Sequence, residues 1–193
     1  MDTASFLIYC TVATFTPGPT NIVILSTVHH SGPRKAMRYT YGATVGFALL
    51  LAFSAMLNSM LISIIPKLLV GMKIIGSIYM LYLAFRIFKT DRSNPGGNQN
   101  QPSTFRSGFW MQFINPKVVV FTLTVIPTFL MPYNSSLTAV IIGIMAITLI
   151  GFSAFTTWVL FGTMFKAFLT KHDKMVNLLM TLFLAYAAMM IWL

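Results

Sequence analysis

Two short motifs carry groups that could do chemistry: Thr16-Pro17-Gly18-Pro19-Thr20-Asn21 and Asn115-Pro116-Lys117. The first interrupts a run without formal charge over 3–33; the second stands just ahead of another, 118–165. Proline removes a backbone donor and collides with the preceding turn, so a helix breaks at both places. A break exposes carbonyls before it and amide donors after it. The amide end is the positive pole of a half-helix and suits a carboxylate. Thr16, Thr20 and Asn21 add hydroxyl and amide groups beside the first break, and Asn115 offers a donor and an acceptor in one side chain beside the second. Lys117 is the costly residue, because an ammonium inside an apolar run needs water, carbonyls, an anion or the interface.

Two readings of these groups stay open at this level. In one, Lys117 and a half-helix end hold a ligand carboxylate while Asn21 and Asn115 recognise its polar groups. In the other, Lys117 snorkels to the interface, both asparagines cap helix ends, and the kinks serve packing alone.

The missing residue types narrow the chemistry. None of the three acids lies within 3–90 or 92–172, so no carboxylate is expected at mid-membrane to meet a cation or relay a proton. That disfavours a dibasic ligand. Proton coupling would then require Lys117, a less obvious titrating group or a proton carried by the substrate. His29 and His30 read as turn residues beside a basic surface, not as a metal pair. No phosphate loop, hydrolytic triad or dinucleotide fingerprint is present, so the chain is expected to be no enzyme and to need no cofactor. The single Cys10 has no intrachain partner and reads as a packed thiol.

The elements that must position these groups are membrane helices. Of 193 residues, 56% are apolar and 16 are charged, with a mean hydropathy of +0.78. About 20 helical residues cross a hydrocarbon core of about 30 Å, and the apolar runs divide into six: roughly 4–28, 39–65, 69–88, 105–130, 137–161 and 175–193. Pro66 and Lys67 should end the second, and a turn near 131–136 should separate the fourth and fifth. The expected architecture is all-α and polytopic, one transmembrane domain over 1–193. Gly42 and Gly46 place two small residues on one helical face, a pattern that packs helices within a monomer as well as between copies.

Thirteen basic residues give a formal charge of +10, but they fall mostly between apolar runs, where they face lipid headgroups and not nucleic acid. With the amino end outside, ten of them collect on cytoplasmic loops or helix ends and Lys67 and Lys73 fall opposite. Both termini are therefore expected outside. The amino end has no basic stretch ahead of its apolar residues, so no cleaved signal is expected.

The polar tract 89–104 divides the chain into halves of about 1–90 and 104–193. Pro17 and Pro116 break the first and fourth runs, and Leu83-Ala84-Phe85 corresponds to Leu184-Ala185-Tyr186 at nearly the same offset. Two three-span halves of this kind insert with opposite orientation, a plan used by secondary transporters.

At this point the chain resembles the LysE/RhtB family of small amino-acid exporters. The resemblance rests on Phe15-Thr16-Pro17-Gly18-Pro19-Thr20-Asn21, on His30-Ser31-Gly32-Pro33-Arg34 leading to Gly42 and Gly46, and on Phe113-Ile114-Asn115-Pro116-Lys117. It implies efflux of amino acids or close derivatives across a bacterial inner membrane, driven by the proton gradient. Length and the Gly46-Phe47 pair look most like the cysteine and O-acetylserine exporters. Many family members carry an acid where Phe47 stands, which argues against carrying over a lysine-exporter role, and another asparagine where Thr20 stands.

The expectation is thus a secondary exporter of small neutral amino acids (cysteine, O-acetylserine, homoserine or threonine) with protons as coupling ion, lipid as surroundings and a homo-oligomer as one possible assembly. A passive channel or facilitator is the competing expectation, and a membrane-embedded enzyme a remote one.

Overall fold

The computed structural model describes residues 3–89, 104–130, 136–190 and 192, and their side chains except those of 57–69 and 72. Among the described residues eight α-helices follow in order: α1 (Thr3–Phe15), α2 (Pro19–Ser31), α3 (Pro33–Lys89), α4 (Phe105–Ile114), α5 (Pro116–Val125), α6 (Leu137–Met164), α7 (Lys166–Lys171) and α8 (Asp173–Met190). A π-helical turn, Ile126–Leu130, extends α5. The expected loop residues 90–103 and turn residues 131–135 lie outside the described residues.

The breaks fall where the prolines put them. α1 stops at Phe15, Gly18 is extended, and Pro19 opens α2 where a missing N–H costs no helical bond. In the second half Asn115, at φ −81° and ψ 104°, ends α4 and precedes Pro116, the first residue of α5. The chain bends by 47° between α1 and α2 and by 67° between α4 and α5. α2 ends at Gly32, whose φ of +88° belongs to the region that glycine occupies without a Cβ penalty; Pro33 then starts α3.

Pro33–Met56, Leu137–Met164 and Asp173–Met190 are each long and apolar enough to cross a membrane, and the two bent pairs bring the candidates to as many as five among the described residues. Exposed Ile142, Met145 and Leu149 on α6, and Leu178, Leu182 and Met189 on α8, suit contact with lipid. The chain is an all-α polytopic membrane protein.

The second and third expected runs both lie in α3, and here the expectation needs correction: Pro66 and Lys67 do not interrupt its helical backbone. Yet α3 cannot be a straight rod. Gly42 lies against the Phe105 carbonyl and Gly76 against that of Ile114. These glycines are about 34 positions apart, roughly 50 Å along a straight helix, whereas Phe105 and Ile114 are roughly 14 Å apart along α4. Ser54 Oγ donates to the Thr122 carbonyl at 2.7 Å, so the outward leg continues beyond α4. The reversal therefore lies between Ser54 and Gly76. After it, α3 packs antiparallel to α8, with Ser77 Oγ donating to Ala188 O at 3.2 Å and Thr181 Oγ1 to Ala84 O at 3.3 Å.

Glycines make these approaches possible. A Cβ on Gly42 would stand 1.9 Å from Phe105 O, one on Gly46 2.6 Å from Phe109 O, and one on Gly108 2.1 Å from Tyr39 O. Gly42 and Gly46 thus face α4 of the same chain. Two buried clusters fill the interior. One joins α2, α3, α4 and α6–α8 through Val28, Leu83, Met111, Phe155, Leu169 and Val176; the other joins α1, α3, α5 and α6 through Phe6, Cys10, Phe47, Phe121 and Ile147.

Candidate functional site

Thr16, Pro17, Gly18, Pro19, Thr20, Asn21, Asn115, Pro116 and Lys117 all line one cavity of about 680 Å³. Gly42 and Gly46 do not. The two breaks therefore meet, and the hydrogen bonds between them explain how each is held.

Pro17 and Pro19 lack the N–H groups that would have bonded the carbonyls one turn back, so the end of α1 is short of donors. Side chains from elsewhere supply them. Asn21 Nδ2 donates to Thr14 O at 3.1 Å and Thr16 O at 3.0 Å. Trp158 Nε1, on α6, donates to Phe15 O at 3.2 Å. Lys117 Nζ donates to Thr16 O at 2.9 Å. Gly18 leaves room for that lysine, since a Cβ there would come within 3.0 Å of Lys117 Cδ.

The second break is capped differently. Asn115 Oδ1 accepts from Lys117 N at 3.1 Å, covering the amino end of α5, while its Nδ2 donates to Thr20 Oγ1 at 3.0 Å. Gln112 Nε2 reaches the same hydroxyl at 3.3 Å and Gly108 O at 3.2 Å. Both asparagines thus satisfy helix ends, and Lys117 turns to a carbonyl of the opposite half. By contrast, Gly18 gives α2 no side-chain cap, so the amino end of α2 opens toward the cavity with its positive pole uncovered by a side chain.

Aromatic residues wall the space: Tyr9, Phe47, Phe121, Phe155, Phe183 and Tyr186. Tyr9 stacks on Phe121, centroids 5.6 Å apart, and Phe47 on Phe121 at 5.9 Å. Lys73 is a second cation on the lining, and no acid lines the cavity among the described residues. Asn21 Oδ1 and Gln112 Oε1 are buried acceptors without a hydrogen-bond partner among the described residues. Reading the sequence missed Gln112, Trp158 and Lys73. A glutamine four positions after a helix-packing glycine in an apolar run was the available signal for the first, and a lysine inside an apolar run, the signal that marked Lys117, for the third; nothing local marked Trp158.

At its other end α2 departs from the sequence expectation. His29 belongs to the last turn of α2, not to a loop, and is buried. Its Nε2 lies 2.5 Å from Asp173 Oδ1 at the start of α8, and His30 Nε2 lies 3.1 Å from Asn177 Oδ1. The ligating atoms of His29, His30 and Asp173 fall within 4.8 Å of one another. Two atoms that share a tetrahedral zinc at 2.0–2.1 Å stand about 3.3 Å apart, so the His29–Asp173 separation is that of a hydrogen-bonded pair.

A bundle of apolar helices interrupted twice around an internal cavity, with its polar groups gathered at the interruptions, defines a membrane translocator. The chain belongs to the LysE type translocator family, whose model matches residues 11–193. It is similar to the cysteine/O-acetylserine efflux proteins of Escherichia coli strain K12 and Shigella sonnei strain Ss046, being 28% identical to each over 189 residues, or 98% of this chain and 96% of theirs. No solved structure matches.

Proposed function

We propose that the protein is a secondary exporter of small neutral amino acids or close derivatives, of the cysteine, O-acetylserine, homoserine or threonine class. It works across a bacterial inner membrane by exchange against protons. The observation that carries this reading is that the two breaks share a cavity in which Lys117 Nζ rests on Thr16 O at 2.9 Å. A zwitterion offers both charges this arrangement can use. Its carboxylate takes Lys117 and the amino end of α2, and its ammonium takes the carbonyls at the end of α1 together with Asn21 Oδ1. The substrate thereby replaces the Lys117–Thr16 bond instead of leaving either group bare. The relatives' printed activity supports the class.

In this reading the chain crosses six times as two inverted three-span halves, α1–α2 and α4–α5 being the broken spans and α3 supplying two crossings. The basic residues at the start of α3, at its end and around α7 favour a cytoplasmic position for those ends, with both termini outside. Alternating access is then movement of one half against the other about the paired breaks.

The competing reading is a passive facilitator, which the same cavity would serve. Purified protein in proteoliposomes separates them across a panel of the four amino acids. Uphill movement under an imposed pH gradient supports the exporter. Movement only down the amino acid's own gradient sinks it in favour of the facilitator.

A further inference from the structure

We infer that His29 and Asp173 form the proton-binding pair of the transport cycle; this rests on the proton exchange proposed above and assigns it a site. The chain has only three acids, Asp2, Asp91 and Asp173. Asp173 is the one among the described residues, and it lies on His29. Histidine is the side chain whose charge ordinarily changes between about pH 5 and 8. The pair thus joins the best-suited titrating group to the described residues' single carboxylate.

Its position gives it a lever on the substrate. α2 is a 13-residue helix. Its first residues, Pro19, Thr20 and Asn21, line the cavity, and His29 sits roughly 12 Å further along. α8 has the same arrangement in reverse, with Asp173 at its start and Phe183, Tyr186 and Met190 on the cavity wall. The pair therefore ties together the far ends of two helices that both face the substrate. His30 and Asn177 add a second tie beside it, and Val28 and Val176 belong to the buried cluster that packs this end.

The elements packed on α2 carry several charged or titratable residues. Arg34, Lys35 and Arg38 begin α3; Lys166 and Lys171 lie on α7; His172 and Lys174 flank Asp173; His30 neighbours His29 on α2. None of these is an acid, so Asp173 is the carboxylate among the described residues that can share a proton with the buried His29 ring. In contact, Nε2 and Oδ1 share one proton; when α2 and α8 part at this end, the pair is broken and that proton leaves the ring. On the proposed topology the ring takes up one proton by way of the cavity while that opens outside, and gives it to the cytoplasm when the cavity opens there, one proton inward for one substrate outward.

The test uses His29→Gln, whose amide keeps a donor for Asp173 but cannot titrate, and Asp173→Asn as a second variant should the first not fold. Each is reconstituted with the full chain and given the panel amino acid that the unsubstituted protein carries fastest. Counterflow without a pH gradient and accumulation under a gradient of about one pH unit are measured separately; at one proton per substrate that gradient sustains about tenfold accumulation. The variants are expected to retain counterflow, to lose accumulation, and to show counterflow that no longer changes across about pH 5–8. Accumulation and a pH profile like those of the unsubstituted protein in His29→Gln, or in Asp173→Asn if His29→Gln does not fold, would overturn the assignment while leaving proton exchange standing. An unsubstituted protein that fails to accumulate any panel member overturns proton exchange itself, and this site with it.

Discussion

Lys117 Nζ lies 2.9 Å from the carbonyl oxygen of Thr16, so an ammonium from the second break closes the first. A charge-assisted bond of this kind contributes about 1.5–3 kcal/mol, and a substrate carboxylate would draw on the same group. Lys117→Ala, inserted at normal abundance, is expected to lower export by about tenfold or more. Radiolabelled uptake into inverted vesicles measures this; undiminished uptake with unchanged substrate preference sinks the role of Lys117.

Thr20 Oγ1 accepts from Asn115 Nδ2 at 3.0 Å, and that bond is buried. Thr20→Val keeps the shape and deletes the acceptor, leaving a buried amide donor unpaired at a cost of about 1–3 kcal/mol. The purified variant is expected to melt at a lower temperature, whereas Thr20→Ser restores most of the loss. Equal melting of the valine and serine variants would show that the hydroxyl is dispensable.

Gly42 has no room for a methyl group, since a Cβ would stand 1.9 Å from Phe105 O, whereas Gly71 has nothing within 4 Å among the described residues. Overpacking of this kind costs about 1–3 kcal/mol. Gly42→Ala is expected to reduce the yield of monodisperse protein in detergent and Gly71→Ala is not. Indistinguishable elution profiles and yields would contradict the α3–α4 packing.

The cavity lining carries Lys73 and Lys117 and no acid among the described residues. A second ammonium on the substrate would meet like charge and find no carboxylate. Excess unlabelled lysine is therefore expected to leave uptake of a labelled neutral amino acid unchanged, while excess threonine reduces it. Competition by lysine as strong as by threonine would rule out this account of selectivity.

The positions of the breaks were legible in the sequence because proline acts locally: Pro17, Pro19 and Pro116 leave their mark whatever packs around them. Partners were not. Trp158 reaches Phe15 from 143 positions away and Asp173 reaches His29 from 144, and a helix surrounded by lipid on one side and apolar neighbours on the other carries little periodicity to say which face is which. His29 looked like a turn residue for the same reason, its carboxylate lying at the other end of the chain. Pro66 was legible in part: the helical backbone runs on through it, yet the reversal expected between the second and third runs does fall between Ser54 and Gly76, as the contacts of Gly42, Ser54 and Gly76 require.

The Lys117–Thr16 bond also bears on how the protein is made. Because synthesis runs from the amino end, Thr16 enters the bilayer about a hundred positions before the lysine that will cover its carbonyl has left the ribosome; until then only Asn21 is at hand. The amino-terminal half should accordingly be a poor lodger on its own, prone to degradation unless the other half is supplied, and the two expressed as separate polypeptides should survive only together.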